Sequence, residues 1–369
     1  MMSKEQTNKP IRVLHILGSL GSGGAESFIM NVYRKIDRSH VQFDFLVRSQ
    51  DNGPMLDEVK RLGGQVFIQP PFPTRILQNY AALRRFLREH AADYAAIHVH
   101  ANALIYTKPL QLAKRYGISA RIIHCHSTHS VFVLLHRFNK NRVDKWVTAR
   151  FACSDLAGEW MFPQKEYRVI PNGIDLERFS YNEAERSRIR EQYGLENKVV
   201  IGNVGRLTAP KNHGRILEIF EAYHRENPNS ALLLVGDGEE RENIRSLAAQ
   251  KKLSDCVIFT GAVTDVENYL SAMDVFLFPS LWEGLGIVLI EAQTNGLPCL
   301  ISDAVPQMAN CGNCHALSLR ADDSEWVREM TRLISQGRCT APTTERFDSR
   351  AVAGDLERFY LESTKQRGA

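Results

Sequence analysis

Apolar and polar positions in this chain follow two alternating periods. Short apolar runs recur at Arg12–Leu17, Val41–Val47, Gln65–Gln69, Ala95–His100, Arg121–Cys125 and Ala149–Cys153, and read as strands. Between them, apolar residues take helical spacing over Ala25–Ile36, Pro54–Leu62, Ile76–His90, Leu104–Tyr116 and Asp155–Met161. Strands that alternate with helices predict a parallel sheet covered on both faces. The rhythm pauses in a polar stretch from Asn172 to Lys198 and then restarts. Strands are expected at Val199–Val204, Ala231–Val235, Cys256–Thr260, Val275–Phe278 and Cys299–Ile301. Helices are expected at Ile216–Tyr223, Glu239–Lys251, Asp265–Met273, Gly286–Thr294 and Ser324–Ser335. The reading is α/β with two doubly wound domains, residues 1–178 and 179–348. A last helix, Ser349–Leu361 within 349–369, is expected to return to the first domain, because chain termini often lie close together. Two such sheets leave a cleft, and open α/β sheets bind ligands beyond the carboxyl ends of their strands.

One stretch, Phe278 to Asp303, carries more chemistry than its packing needs. A buried strand stops at Pro279-Ser280, a loop with Gly284 and Gly286 opens a helix, and Gly296 and Pro298 close it. Glu283 and Glu291 stand eight residues apart, ~12 Å along a continuous helix. Free backbone N–H groups at the helix start suit an anion. Carboxylates on either side accept hydrogen bonds from hydroxyls. The ligand so described has hydroxyls, then phosphates, then hydroxyls: a nucleotide diphosphate-sugar. In isolation the two carboxylates also fit an ordinary solvated loop and helix.

Composition narrows the class. A chain of 369 residues with 44% hydrophobic and 24% charged content is ordinary for a globular protein of two domains. The polar start, Met1 to Pro10, and the interrupted apolar run after it do not match a secretory leader, and no run is long enough to span a membrane. Seven cysteines, an odd and scattered number, point to a reducing cytoplasm. The net charge of +4 is uneven: residues 1–178 hold 25 Lys+Arg against 15 Asp+Glu, residues 179–369 hold 21 against 27. The first half is thus +10 and the second −6. Basic residues gather at Arg84, Arg85 and Arg88, at Lys108, Lys114 and Arg115, and from Arg137 to Arg150. They fit either solvated helix faces or a surface for an anionic membrane. Aromatics are not interleaved with them, which argues against nucleic acid.

Other motifs are weaker alone. Gly18-Ser-Leu-Gly21-Ser-Gly23-Gly24-Ala-Glu26 follows the first strand and can bring amides to a diphosphate, but it does not match the dinucleotide fingerprint. A plain glycine turn fits it equally. Gly205-Arg206-Leu-Thr-Ala-Pro-Lys211-Asn212 puts two cations after a parallel strand, where they can neutralise a departing diphosphate. In His124-Cys125-His126, alternation turns both imidazoles to one face, fitting a substrate contact, structural histidines or a metal pair for which no third and fourth ligand is visible. Cys311-Gly-Asn-Cys314 has neither a thioredoxin-like setting nor a second pair for zinc, and reads as two free thiols in a loop.

Taken in order, these pieces resemble retaining glycosyltransferase family 4. The resemblance lies in Gly23-Gly24-Ala25-Glu26, Pro171-Asn172-Gly173-Ile174-Asp175, Gly205-Arg206 with Lys211-Asn212, Val235-Gly236-Asp237-Gly238, Phe259-Thr-Gly261 and Phe278 to Glu291. Within the family the chain is most similar to bacterial exopolysaccharide enzymes. The resemblance implies two Rossmann-like domains facing across a cleft (GT-B), a nucleotide-sugar donor, expected to be a UDP-sugar, and retention of configuration without metal or other cofactor. It implies a saccharide acceptor, lipid-linked on a polyprenyl diphosphate, for a cytoplasmic enzyme at the inner membrane face. By the same resemblance Arg206 and Lys211 bind the diphosphate, Glu283 the donor sugar and Glu291 the ribose. Leu285 and Gly286 offer backbone N–H groups, with Gly284 and Val263 beside them, while Gly23 and Gly24 approach from the first domain. His126 matches the histidine near the reacting sugar, with His124 as the alternative. One departure stands out: relatives often carry glutamate where this chain has Met308. A UDP-sugar 2-epimerase and a non-catalytic nucleotide-sugar-binding subunit are the rival readings.

Overall fold

A computed structural model describes residues 9–21, 23–49, 55–128, 130, 132–339 and 343–365. The expected helix start at Pro54, most of the polar N-terminus and residues 366–369 lie outside them. Contacts divide the chain into an N-terminal unit, Met1–Ile174 with Phe347–Ala369, and a C-terminal unit, Asp175–Arg346.

In the N-terminal unit seven strands pair in parallel: β1 (Ile11–Leu17), β2 (Val41–Val47), β3 (Val66–Ile68), β4 (Ala96–Ala101), β5 (Ala120–Cys125), β6 (Ala149–Ala152) and β7 (Arg168–Val169). Their order is β3-β2-β1-β4-β5-β6-β7, so the winding reverses between β1 and β4. Alternation sorts β1 between two cores: Val13 and Leu17 pack on one face, Leu14 and Ile16 on the other. The first face is closed by α1 (Gly24–Lys35), through Phe28 and Val32. The second is closed by α3 (Ile76–His90) and α4 (Lys108–Arg115), through Leu83, Leu87 and Leu110. A short α2 (Met55–Arg61) precedes β3, α5 (Val133–Val143) follows β5, and α6 (Asp155–Met161) follows β6.

The C-terminal unit opens with α7 (Glu183–Tyr193). Its strands are β8 (Val199–Val204), β9 (Ser230–Val235), β10 (Val257–Gly261), β11 (Val275–Phe278), β12 (Cys299–Ser302) and β13 (Cys314–Leu317). The order β10-β9-β8-β11-β12-β13 reverses between β8 and β11. Its helices are α8 (His213–Glu226), α9 (Arg241–Gln250), α10 (Val266–Ala272), α11 (Ile287–Thr294) and α12 (Asp323–Gln336). The last helix, α13 (Ser349–Lys365), belongs to the N-terminal unit, where Val352, Ala353, Leu356 and Tyr360 join the core beneath α1. The chain re-enters that unit beside its exit: Ile174 N donates to Phe347 O at 2.8 Å and Ser349 N to Ile174 O at 2.9 Å.

Several elements depart from the sequence reading. The polar stretch Asn172 to Lys198 contains α7, which has no apolar stripe. Asn182 caps it by accepting from Ala184 N and Glu185 N, and Gly194 ends it in a left-handed turn. Arg186 and Arg190 then clamp Asp274 at 2.6 and 2.5 Å. Helix α4 begins at Lys108 rather than Leu104, because Pro109 favours a first turn. Helix α5 and strands β7 and β13 were not foreseen, and Cys314 opens β13 instead of lying in a loop. Cys311 and Cys314 are nevertheless free thiols, both buried.

Asp274 also accepts from Val200 N at 2.8 Å, so it holds α7 and the edge of β8 together. Asp274→Ala leaves two guanidinium groups half-buried without their carboxylate. It is expected to cost about 3 kcal/mol, read as a lower urea midpoint.

Candidate functional site

Chemistry gathers at the carboxyl ends of the strands on either side of each reversal. In the C-terminal unit, β8 runs out at Gly205-Arg206 and β11 at Pro279-Ser280, side by side. Asn203 Nδ2 donates to Leu277 O at 2.8 Å, and Ser302 Oγ to Ser280 O at 2.6 Å. The loop after β8 is pinned to the loop after β11 by Leu281 N on Pro210 O at 2.8 Å and Asn212 Nδ2 on Pro279 O at 3.0 Å. Gly236, with φ +135°, passes so close to Gly205 O that a Cβ would collide with it. The turn after β9 therefore requires glycine.

This framework brings Lys211 to Glu283: Nζ to Oε1 is 2.7 Å, with side chains 19% and 10% exposed. Lys211 Nζ also sits 4.7 Å over the Phe278 ring. Two of the sequence-predicted residues are thus an ion pair, each shielding the other. Arg206 is exposed and has no carboxylate partner among the described residues. Gly286 was read as the first helical residue but caps α11 in a left-handed conformation, φ +77°. The N–H groups of Leu285 and Gly286 have no protein acceptor among the described residues, so the loop ends in open donors. Gly284 lies between them and Glu283. Val263 lies after β10, at the sheet edge two strands from β8.

Glu291 lies on α11 and is only partly shielded from solvent, yet desolvation raises its carboxyl to about 8 against the opposing pull of Arg178. Arg178 was not foreseen; it pairs with Glu267 at 2.9 Å and donates to Thr264 O at 2.7 Å. Also unforeseen is His213, buried at the start of α8 with both ring nitrogens unpartnered; burial, then the Lys211 charge, lowers it to about 4.

In the N-terminal unit, Gly23, Gly24 and His126 line one cavity of about 690 Å³ with Glu26, Arg48 and Tyr106. A Cβ on Gly24 would meet nothing within 4 Å, so its side of the cavity is open. Glu26 is raised by desolvation, eased by its own backbone and by Ser19. Arg48 Nε donates to Leu17 O at 3.2 Å, and its guanidinium lies 4.3 Å over Tyr106.

His126 is the half-buried end of a buried row of five histidines. His15, His98, His100, His124 and His126 share the sheet face under α1, since the first four fall at the same parity on β1, β4 or β5 and His126 continues that alternation just past β5. His15 Nδ1 meets His100 Nε2 at 3.1 Å, and His100 Nδ1 meets His126 Nε2 at 2.8 Å. His98 joins His124 Nδ1 at 3.2 Å and Tyr360 Oη at 2.7 Å. Nitrogens of two trios, His15–His98–His100 and His100–His124–His126, come within 4.8 Å of one another, but these hydrogen bonds already occupy most of them. Each bond holds one hydrogen, so three neutral rings admit two concerted arrangements. Either His126 Nδ1 is bare and His15 Nε2 carries hydrogen, or the reverse. A buried N–H without an acceptor is the costlier orphan. Both end atoms, His15 Nε2 and His126 Nδ1, are buried without a protein partner, so either arrangement leaves one such N–H at an end of the row. The alternative, His124, is fully buried. The paired H-x-H spacing, His98-Val-His100 beside His124-Cys-His126, was the sequence signal for this row.

Both units are similar to known proteins. Residues 22–178 match the sequence model of glycosyltransferase family 4, and residues 185–348 that of glycosyl transferases group 1. The chain is 34% identical to EpsF of Bacillus subtilis (strain 168), which bears the name glycosyltransferase, over 89% of this chain and 88% of that one. It is 26% identical to the UDP-Gal:alpha-D-GlcNAc-diphosphoundecaprenol alpha-1,3-galactosyltransferase of Escherichia coli, over 84% and 82%. Among solved structures, Anabaena HepE in complex with UDP and glucose superposes with a TM-score of 0.74 at 20% identity, over 97% of this chain and 98% of that one.

Burial lowers His126 to about 3, and His15, His98, His100 and His124 well below the ordinary 6.5. Unfolding restores their basicity. Stability is therefore full above pH ~6.5 and falls below it, by up to ~1.4 kcal/mol per pH unit for each ring. The five together should lower the unfolding free energy by up to ~7 kcal/mol per unit near pH 5. Urea titrations from pH 7 to 5 measure this; a flat profile contradicts it. In the other unit, Lys211→Met strands the Glu283 carboxylate and is expected to cost about 3 kcal/mol. The Lys211→Met/Glu283→Gln pair should cost less than the two single changes together, read by the same titration.

Proposed function

The chain belongs to glycosyltransferase family 4, and on that premise we propose that it transfers a sugar from a UDP-sugar to a lipid-linked saccharide with retention of configuration, in exopolysaccharide or other cell-surface polysaccharide synthesis. The observation that carries this is the cluster at the β8–β11 reversal: Arg206, the Lys211–Glu283 pair, the open N–H groups of Leu285 and Gly286, and Glu291 eight residues beyond Glu283. The relatives' names support the donor and acceptor: one uses UDP-Gal and a diphosphoundecaprenol-linked sugar.

In this reading the donor diphosphate sits against Arg206, Lys211 and the start of α11. As the bond from the anomeric carbon to the phosphate oxygen breaks, charge develops where these groups already point. The acceptor hydroxyl adds from the same face, and its proton passes to the departing phosphate oxygen. No protein nucleophile is needed. Two cations and a helix terminus supply the neutralisation that a divalent ion supplies elsewhere. Activity is accordingly expected to survive EDTA. Glu283 exchanges its contact with Lys211 for the donor sugar's hydroxyls, and Glu291 receives the ribose hydroxyls. His126, at the wall of the cavity that Gly24 lines, is the histidine that meets the reacting sugar.

Among the described residues no helix is long and apolar enough to cross a membrane. Work on a lipid-linked acceptor then requires peripheral contact, for which the basic N-terminal half is suited.

Radiolabelled UDP- and GDP-sugars offered with membrane extract test the reading directly, with product anomers assigned by NMR. Conversion of a UDP-sugar without acceptor would favour the epimerase instead. Arg206→Ala is expected to lose about 2–4 kcal/mol of transition-state stabilisation, seen in kcat more than in donor KM. Glu283→Gln should spare UDP affinity and depress transfer. Glu291 is protonated below pH ~8, so native UDP affinity should rise between pH 7 and 9 as the acceptor carboxylate forms. Glu291→Gln should bind UDP more weakly and lose that rise, as calorimetry would show.

A further inference from the structure

Helix α5 is built inside out. Its buried side carries Val143 only at the C-terminal end, and otherwise His136 and Asn139, held by Leu104: Leu104 N donates to His136 Nδ1 at 3.1 Å, and Asn139 Nδ2 donates to Leu104 O at 2.7 Å. Its outer side carries Leu134, 84% exposed, and Phe138, 60% exposed, flanked by Phe132, Val133 and Leu135. This reverses the usual arrangement, in which a surface helix turns its apolar stripe to the core. The exposure continues on the first turn of α3, where Leu77 is 84% exposed. Ile76 of α3 and Leu135 of α5 line one cavity of about 440 Å³, so the two patches adjoin. Seven of the twelve exposed large hydrophobic residues described in the chain lie here, so the exposure is concentrated rather than scattered.

The charges around this patch have one sign. Arg137, Lys140 and Arg142 project from α5, which has no acidic residue, and none of them pairs with a carboxylate among the described residues. Lys108 and Lys145 border the shared cavity. Arg142 lies 4.2 Å over the Phe138 ring, keeping its charge beside the apolar surface. Asp144, just beyond the helix, is taken up by Arg150 and Lys165. Leucine and phenylalanine at the crest with unpaired cations around them match an interfacial helix resting on anionic lipid.

We propose that α5 and the first turn of α3 form the surface by which the enzyme docks on an anionic lipid bilayer, with Leu134, Phe138 and Leu77 entering the acyl boundary. The proposal rests on the reading of a lipid-linked acceptor and specifies where that lipid lies. Phe132, at the near end of this face, also lines the cavity that holds His126 and Gly24. Docking through α5 sets the mouth of that cavity at the headgroups, where a membrane-anchored saccharide would present its hydroxyls. Arg84, Arg85 and Arg88 lie two to three turns along α3 from Leu77 and are outside the surface.

The test is flotation of the full chain with phosphatidylcholine vesicles and with vesicles carrying phosphatidylglycerol. Binding is expected to the anionic vesicles, reduced but not abolished at ~0.5 M salt, because the apolar part is not screened. Leu134→Gln/Phe138→Gln should weaken it at least ~10-fold, and Leu77→Gln less, with UDP affinity unchanged as the check on folding. Arg84→Glu/Arg85→Glu/Arg88→Glu should bind nearly as the native chain does. Absence of native binding, or equal binding by the Leu134/Phe138 variant, overturns the proposal. So does self-association abolished by the same variant without vesicle binding, which would make the face a protein interface. Vesicle binding that needs Leu134 and Phe138, with transfer only to soluble acceptors, supports the surface while refuting the lipid-linked acceptor.

Discussion

A parallel sheet buried on both faces leaves a ligand few places to go. Helices cover its broad sides, and most of its strand ends are crossed by the connection to the next helix. Only where the strand order reverses do two connections diverge and leave a gap. In each unit of this chain one such gap exists, between β1 and β4 and between β8 and β11. Arg206, Lys211 and Glu283 follow the strands at one gap, and Gly23, Gly24 and His126 line the cavity at the other, whereas Val263 lies apart at a sheet edge.

The two gaps solve electrostatics in opposite ways. At β8–β11 the charges are full and close, and Lys211 and Glu283 neutralise each other before any ligand arrives. On the proposed reading, a diphosphate would compete for Lys211 and a sugar hydroxyl for Glu283. Affinity there is an exchange of partners rather than a gain of new ones. At β1–β4 the five histidines are neutral and pass single hydrogens between rings. Their worth lies in coupling: burial removes the charged state, and the row then ties the tautomer of His126 to that of His15.

Much of this was legible in the chain. The strands of both sheets carried their own evidence, since runs such as Val41–Val47 and Val275–Phe278 are apolar throughout. The placement of Arg206, Lys211 and Glu283 in the loops after β8 and β11 was readable, because those loops follow evident parallel strands. What escaped notice has physical reasons. Helix α7 is held by caps and by Asp274, so it has no periodic apolar stripe to detect. Helix α5 has its polarity reversed, and a search for buried leucines discounts it. His15 and Arg178 are single residues whose meaning comes from neighbours far away in sequence. The mutual pairing of Lys211 and Glu283 could not be read either, because spacing places residues at a site without saying what they touch when it is empty.

The return of α13 to the first sheet bears on how the molecule is made. Val352, Leu356 and Tyr360 complete a core whose other members were assembled from β1, α1 and β2, and Tyr360 closes the histidine row at His98. On the ribosome those early strands emerge first but wait for the final helix. The C-terminal unit, continuous from Asp175 to Arg346, holds all its own residues sooner. The half of the protein synthesised second is therefore the half able to finish folding first, while the opening segment depends for that interval on whatever shields its unfinished apolar face.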